Sequence, residues 1–146
     1  MSNIWVAIDA ISNCVVATGV FAALYQIRSA KEQDAVAFED KLNIEYREII
    51  RTVDVNVMLG DALPAQNYLS SIYNYFDLCN EQIFLRQRGR VSDRRWDEWI
   101  DGMEGNFSLP TMRSAWEHIS EKSPDLFKEL KRLKQSNFRE DPKKWK

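Results

Sequence analysis

The chain has 146 residues and a formal net charge of −2, so it is long enough for one small domain and has no global polycationic or polyanionic character. It contains one histidine, two cysteines and five glycines, which leaves no histidine pair for a metal, no HExxH motif and no glycine-rich phosphate loop. We therefore predict that it is not an enzyme, that no residue is catalytic, and that it holds no metal or cofactor.

The N-terminal stretch from Ile4 to Ile27 is apolar and carries a single formal charge, on Asp9. As a helix it would be about 36 Å long, enough to cross a hydrocarbon core of about 30 Å. The first basic residues, Arg28 and Lys31, follow directly. The pattern predicts a transmembrane helix over residues 1–28, with the N-terminus outside and the remaining chain in the cytoplasm.

Two other interpretations of this stretch are open. A buried core helix of a soluble domain is normally shorter and does not precede a chain so much more polar. A cleaved signal peptide would begin with positive charge and end with small residues, whereas Met1 to Asn3 carry no side-chain charge and the apolar run ends at Ile27.

One face of the predicted span carries its polar residues. At about 100° per residue they share a stripe that turns apolar toward the cytoplasm. The stripe contains Asp9, Ser12, Asn13, Val16 and Val20. A carboxylate and an amide facing lipid are costly, so this stripe predicts a seam between copies of the chain, or a water-filled pore gated by its apolar half. The alternative is that Asp9 snorkels to the outer headgroups.

The rest of the chain predicts an all-α fold. A stalk over residues 29–58 continues the first helix to about Val53, as one long helix or as two nearly collinear ones. A connector rich in Asn, Gly and Pro follows over residues 54–64. A helical body over residues 59–140 then contains a helix from Pro64 or Ala65 to about Gln87 and a helix capped by Ser92. Two further helices begin at Ser-Pro signals, and residues 141–146 form a tail. The signals are Ser108-Leu109-Pro110 and Ser123-Pro124.

A cluster of arginines marks the junction between the two central helices. We call residues 86–96 the arginine junction; its candidate ligand-binding residues are Arg86, Arg88, Arg90, Arg94, Arg95 and Trp96. Arginine forks suit phosphate, and flanking aromatic rings suit stacked bases. Three interpretations stay open: a solvated face or ion pairs with nearby acids, a nucleic-acid or nucleotide site, and an anionic-lipid site. The basic residues from Lys128 to Lys146 likewise suit either lipid headgroups or solvent.

The segment YNYFDLCNEQIFLRQRGRVSDRRWDEW at residues 73–99, followed by SAW at residues 114–116, resembles small bacterial proteins with one N-terminal membrane helix. Proteins of this layout are similar to membrane effectors of bacterial antiphage systems, the Hailong type among them, in which a soluble nucleotidyltransferase partner controls a small channel-forming protein. The resemblance implies architecture, a bacterial inner-membrane location and a partner protein, and it carries over no catalytic residue.

Together these patterns predict a homo-oligomeric inner-membrane effector. Its N-terminal helices would form an ion-conducting pore, and an anionic ligand such as single-stranded DNA, or a partner protein, would act at the cytoplasmic body. The expected partners are membrane lipid and copies of the chain, with single-stranded DNA or a nucleotidyltransferase protein as controlling partner. The alternative is a membrane-tethered adaptor whose Trp-rich body binds another protein.

Overall fold

In the computed structural model, which describes the backbone of residues 2–145 and the side chains of residues 21–145, the regular structure is entirely helical. The all-α prediction is confirmed for these residues. The elements in chain order are α1 Ser2–Arg51, α2 Val55–Met58, a 3-10 turn Ala65–Tyr68, α3 Leu69–Gln87, α4 Asp93–Ser108, α5 Pro110–Lys122, α6 Lys128–Gln135 and a 3-10 turn Pro142–Lys144.

Helix α1 is a single helix of 50 residues, as the absence of Gly and Pro beyond Gly19 in this segment favours. The chain divides into two compact units, residues 1–38 and residues 39–146. The boundary between the two units falls within the predicted stalk, and residues 39–58 lie in the same unit as residues 59–146. In the part of the chain whose side chains are described, no helix is long and apolar enough to cross a membrane; most of the predicted span, residues 4–20, lies outside that part.

An aromatic cluster forms the core of the second unit. The Phe76 side chain is fully buried, and its ring centroid lies 5.0 Å from that of Phe107 and 5.2 Å from that of Trp116. Phe127 closes the cluster at 6.3 Å from Phe76. Ring pairs at these spacings add to the free energy gained by burying apolar surface. The cluster joins α3, α4 and α5 to the segment before α6.

Local signals set some helix ends and tertiary contacts set others. Ser92 caps α4 as predicted, because its hydroxyl accepts a hydrogen bond from the Arg95 amide. Gly89 follows α3 with a φ of 69°, a left-handed conformation that glycine adopts without strain. Ser108, predicted as a cap, is instead the last residue of α4.

The start of α6 differs from the prediction. The helix begins at Lys128 rather than at Ser123-Pro124, after Phe127 in a left-handed conformation. The amides of Glu129 and Leu130 both donate to Asn80 Oδ1 on α3, each at 3.1 Å. A side chain from another helix thus satisfies the donors that a local cap normally satisfies.

The C-terminal segment, predicted to be a tail, is packed against the body through residue 145. Pro142 is buried, and the Arg132 guanidinium lies 4.3 Å from the centre of the Trp145 ring. Asp141 contacts Arg86 of α3. The sequence gave no indication that this segment would be held by an arginine 55 residues earlier.

Candidate ligand site at the arginine junction

Arg86 lies at the centre of an internal ion-pair network. Its side chain is 3% exposed. Nε and Nη2 donate to the two carboxylate oxygens of Asp141 at 2.8 and 2.6 Å, and Nη1 donates to Asp93 Oδ1 at 2.7 Å and to the Val91 carbonyl at 3.0 Å. This fork-to-carboxylate geometry is the strong form of an arginine ion pair. Arg86 therefore holds the end of α3, the start of α4 and the C-terminal segment together, and it is not open to a ligand.

The network shifts the pKa values of its members in the directions that stabilise their charged forms. Hydrogen bonds from Arg86 lower the pKa of Asp141 and, together with Lys143, lower the pKa of Asp93. The hydrogen bonds to Asp141 raise the pKa of Arg86 against the opposing effect of burial. All three groups are therefore charged across the neutral range.

These pKa shifts predict a loss of stability in acid. A carboxylate with a lowered folded-state pKa contributes fully above its unfolded pKa of about 3.9 and loses its contribution as the pH falls through the folded-state pKa. We expect the free energy of unfolding, measured by urea titration, to fall as the pH drops below about 4. Asp141→Asn should flatten this fall, and an equally steep fall in that variant would contradict the assignment.

Arg95 occupies a second cluster of charges, contributed by α1 and α4. Nη1 donates to Glu98 Oε2 at 2.8 Å and Nη2 donates to Asp40 Oδ1 at 3.2 Å. Its Nε lies 3.5 Å from Glu39 Oε2, too poorly placed for a hydrogen bond. Glu39 is buried and its other oxygen accepts a hydrogen bond from the Ser92 amide at 2.7 Å. Three carboxylates thus surround one guanidinium, as expected if the junction pairs with nearby acids.

Three of the predicted arginines remain on the surface. The Arg94 side chain is 92% exposed and lies 3.5 Å from Glu98 at the nearest approach. Arg88 and Arg90 are exposed, and the Arg88 guanidinium lies 5.0 Å from the centre of the half-exposed Phe84 ring. An anionic ligand at the junction would therefore meet Arg88, Arg90 and Arg94 rather than all five arginines.

The tryptophans of α4 do not provide an open stacking surface. Trp96 is 3% exposed, and its ring lies against the Arg86 guanidinium with 5.9 Å between the guanidinium carbon and the ring centre. Trp99 is also largely buried, and its Nε1 donates to Asn43 Oδ1 at 2.8 Å. The structure therefore places Trp96 in the core, where it cannot stack against a base. Phe84 is the aromatic side chain that lies on the surface beside Arg88.

Other candidate groups are placed as follows. The pore candidates Asp9, Ser12, Asn13, Val16 and Val20 lie outside the residues whose side chains are described. Burial raises the pKa of the Cys79 thiol to about 12, so it stays protonated and unreactive. Within residues 21–145, no three His, Cys, Asp or Glu side chains come together as ligands for a metal ion.

Gln82, a polar residue within the apolar face of α3, was not identified as a candidate from the sequence. Gln82 is buried and lies one position before Ile83 and three after Cys79, on the face that packs into the body. It lines a groove with Asn43, Tyr46 and Trp99. The available signal was the interruption of an otherwise apolar helical face by an uncharged amide.

Comparison with protein-family models, curated proteins and solved structures finds no match to this chain.

Proposed function

We propose that the protein is a homo-oligomeric inner-membrane effector of bacterial antiphage defence, whose N-terminal helices form an ion-conducting pore. An anionic ligand or a partner protein on the helical body controls that pore. The assignment to antiphage defence is supported by the resemblance in size, in layout and in the arginine-aromatic junction within residues 73–99. The assignment to the membrane is supported by the apolar run from Ile4 to Ile27.

The observation that carries the proposal is the continuity of α1. The same helix holds the apolar N-terminal stretch and ends, over residues 39–51, inside the second unit. There Leu42 is buried and Asn43 accepts a hydrogen bond from Trp99. In the proposal, this shared helix transmits a change in the body to the apolar stretch.

Exposed apolar side chains on α1 give a second line of support. Phe21 and Tyr25 are 73% and 75% exposed, and Leu24 and Ile27 are more than half exposed. Large apolar side chains grouped in this way are typical of surfaces that contact lipid or another protein. In the proposal they contact the bilayer or neighbouring copies.

On the body, the exposed arginines supply the proposed ligand surface. Arg88, Arg90 and Arg94 lie within seven residues, around the turn between α3 and α4. In an assembly each copy would repeat this surface, so the positive potential available to an anion would exceed that of one chain. Ligand binding shifts a pore between closed and open arrangements only if its affinity for the two differs.

Ion flux through liposomes that contain the purified full chain tests the pore. We expect flux from the wild type, a several-fold change in Asn13→Leu, and a several-fold increase in Val20→Asp, since a charge hydrates an apolar constriction.

A single-stranded DNA probe should alter the wild-type flux. The Arg88→Glu/Arg94→Glu variant should bind this probe at least about tenfold more weakly, because phosphate contacts dominate such binding.

The matched control is Arg113→Glu/Arg139→Glu, which makes the same charge change at two exposed positions outside the junction. The pore hypothesis is overturned if neither the wild type nor any variant gives ion flux, with or without the DNA probe. Equal loss of DNA binding in the two double variants would show that Arg88 and Arg94 are solvated surface residues and not a specific DNA-binding site. Replacing residues 4–27 with a poly-Leu anchor separates the proposal from a membrane-tethered adaptor, because only the adaptor keeps its function.

A further inference from the structure

A groove within the second unit has the size and lining of a small-molecule site. It encloses about 310 Å³ between the end of α1, α3 and α4, close to the lower end of the range of roughly 300 to 1,000 Å³ for ligand pockets. Its walls include Asn43, Tyr46, Gln82, Arg95, Trp99 and Met103. Arg95 of the arginine junction lines this groove, whereas Arg88, Arg90 and Arg94, which form the proposed ligand surface, do not.

Gln82 presents its amide to the groove. The residue is 4% exposed and lines the groove, yet its side chain makes no hydrogen bond within the described part of the chain. The amide nitrogen and oxygen are accessible from the groove, so both are available to a ligand. Arg95 also lines the groove, and its buried Nε is ion-paired with Glu39 Oε2 at 3.5 Å. The Gln82 amide is therefore a hydrogen-bonding group that the groove offers to a ligand.

The charges around the groove select against anions. Glu39, Asp40 and Glu98 all lie within 3.5 Å of the Arg95 guanidinium, so its positive charge is more than balanced. Arg47 is the other cationic residue in the lining. Glu98 itself lines the groove, so a ligand carboxylate or phosphate would be repelled by it.

The aromatic walls select for a flat ligand. The Trp99 indole is held in place by its hydrogen bond to Asn43, and the ring of Tyr46 lies 6.1 Å from that of the buried Tyr75. Rings fixed in this way offer flat apolar surface to a planar guest at little cost in side-chain entropy.

We propose that this groove binds a small, uncharged aromatic ring that carries a carboxamide or an equivalent donor-acceptor edge. The edge pairs with the Gln82 amide, which can both donate and accept, and the ring lies against Tyr46 and Trp99. The proposal is independent of the membrane function, because every residue that it uses lies within residues 39–146.

Calorimetric titration of the full-length protein with benzamide and with benzoate tests the proposal, because the two probes have the same shape and differ in charge. We expect benzamide to bind, and benzoate to bind at least about tenfold more weakly. Gln82→Leu should weaken benzamide binding by at least about tenfold, as the loss of a hydrogen bond in a buried site predicts. Gln87→Leu is the matched control on the same helix and outside the groove, and it should leave the affinity unchanged.

The Tm measured without ligand checks that each Gln82 variant is folded. Gln82→Leu removes an amide that makes no hydrogen bond within the described part of the chain, so its Tm should stay close to that of the wild type. Gln82→Met, which has an unbranched side chain, is used if leucine does not fit. The proposal is overturned if benzamide does not bind the wild type at millimolar concentration, if benzoate binds as tightly as benzamide, or if a folded Gln82 variant binds benzamide with wild-type affinity. A marked fall in Tm for both Gln82 variants would also overturn it, because the amide would then have a structural role.

Discussion

The Asp141→Ala variant is expected to have a free energy of unfolding about 2–4 kcal/mol lower than that of the wild type, because it leaves the buried Arg86 guanidinium without its bidentate partner. Asp141 supplies two of the four hydrogen bonds that Arg86 donates. The remaining carboxylate partner, Asp93, is mostly exposed to solvent. Urea unfolding followed by far-UV circular dichroism measures the effect.

The control for this prediction also removes the charge of Arg86, which Asp141→Ala leaves without its bidentate partner. In Arg86→Met/Asp141→Ala no buried guanidinium remains, so the double variant should be more stable than Asp141→Ala alone. Asp125→Ala, at an exposed position, should change the stability by no more than about 0.5 kcal/mol. A double variant less stable than the single one would show that Asp141 acts through something other than its pairing with Arg86.

Phe76→Ala is expected to destabilise the body by about 3–5 kcal/mol, the usual cost of deleting a fully buried aromatic side chain. The Phe76 ring is 0% exposed and contacts the rings of Tyr75, Phe107, Trp116 and Phe127. The truncation therefore opens a cavity at the place where α3, α4 and α5 meet. Thermal unfolding together with urea unfolding measures the loss.

Phe84→Ala is the matched control for this truncation. It removes the same side chain from the same helix, at a position that is 41% exposed. Its effect should be no more than about 1 kcal/mol, because little buried apolar surface is lost. Similar losses in the two variants would contradict the assignment of the core to the Phe76 cluster.

Local signals made much of the helical layout predictable. The unbroken run of helix formers fixed the end of α1 within about two residues of the predicted Val53, since it ends at Arg51. Ser92 acts through its hydroxyl on an amide three residues later, and Gly89 acts through its own backbone conformation, so both were predictable from neighbouring residues. The same reasoning failed at Ser123-Pro124, because α6 takes its cap from Asn80 on another helix.

The arginine junction shows the limit of reasoning from local composition. Five arginines within ten positions indicated a basic surface, but burial separates them into two classes. Arg86 is buried because Asp141 lies against it, and Asp141 is 55 residues away in the chain. The sequence predicted that Trp96 offers a stacking surface beside these arginines, but its side chain is packed in the core. Which arginines are accessible to a ligand depends on ion pairs between residues that are far apart in the chain. A local sequence pattern does not reveal those pairs.

The native mass of the full chain extracted in detergent tests the proposed assembly most directly. A homo-oligomeric membrane effector predicts a particle of several copies of the 17.1 kDa chain, held together by contacts that include the stripe of Asp9, Ser12 and Asn13. Asp9→Leu/Asn13→Leu should reduce the number of copies. A wild-type particle with the mass of a single chain would contradict the account, because one helix cannot enclose a pore.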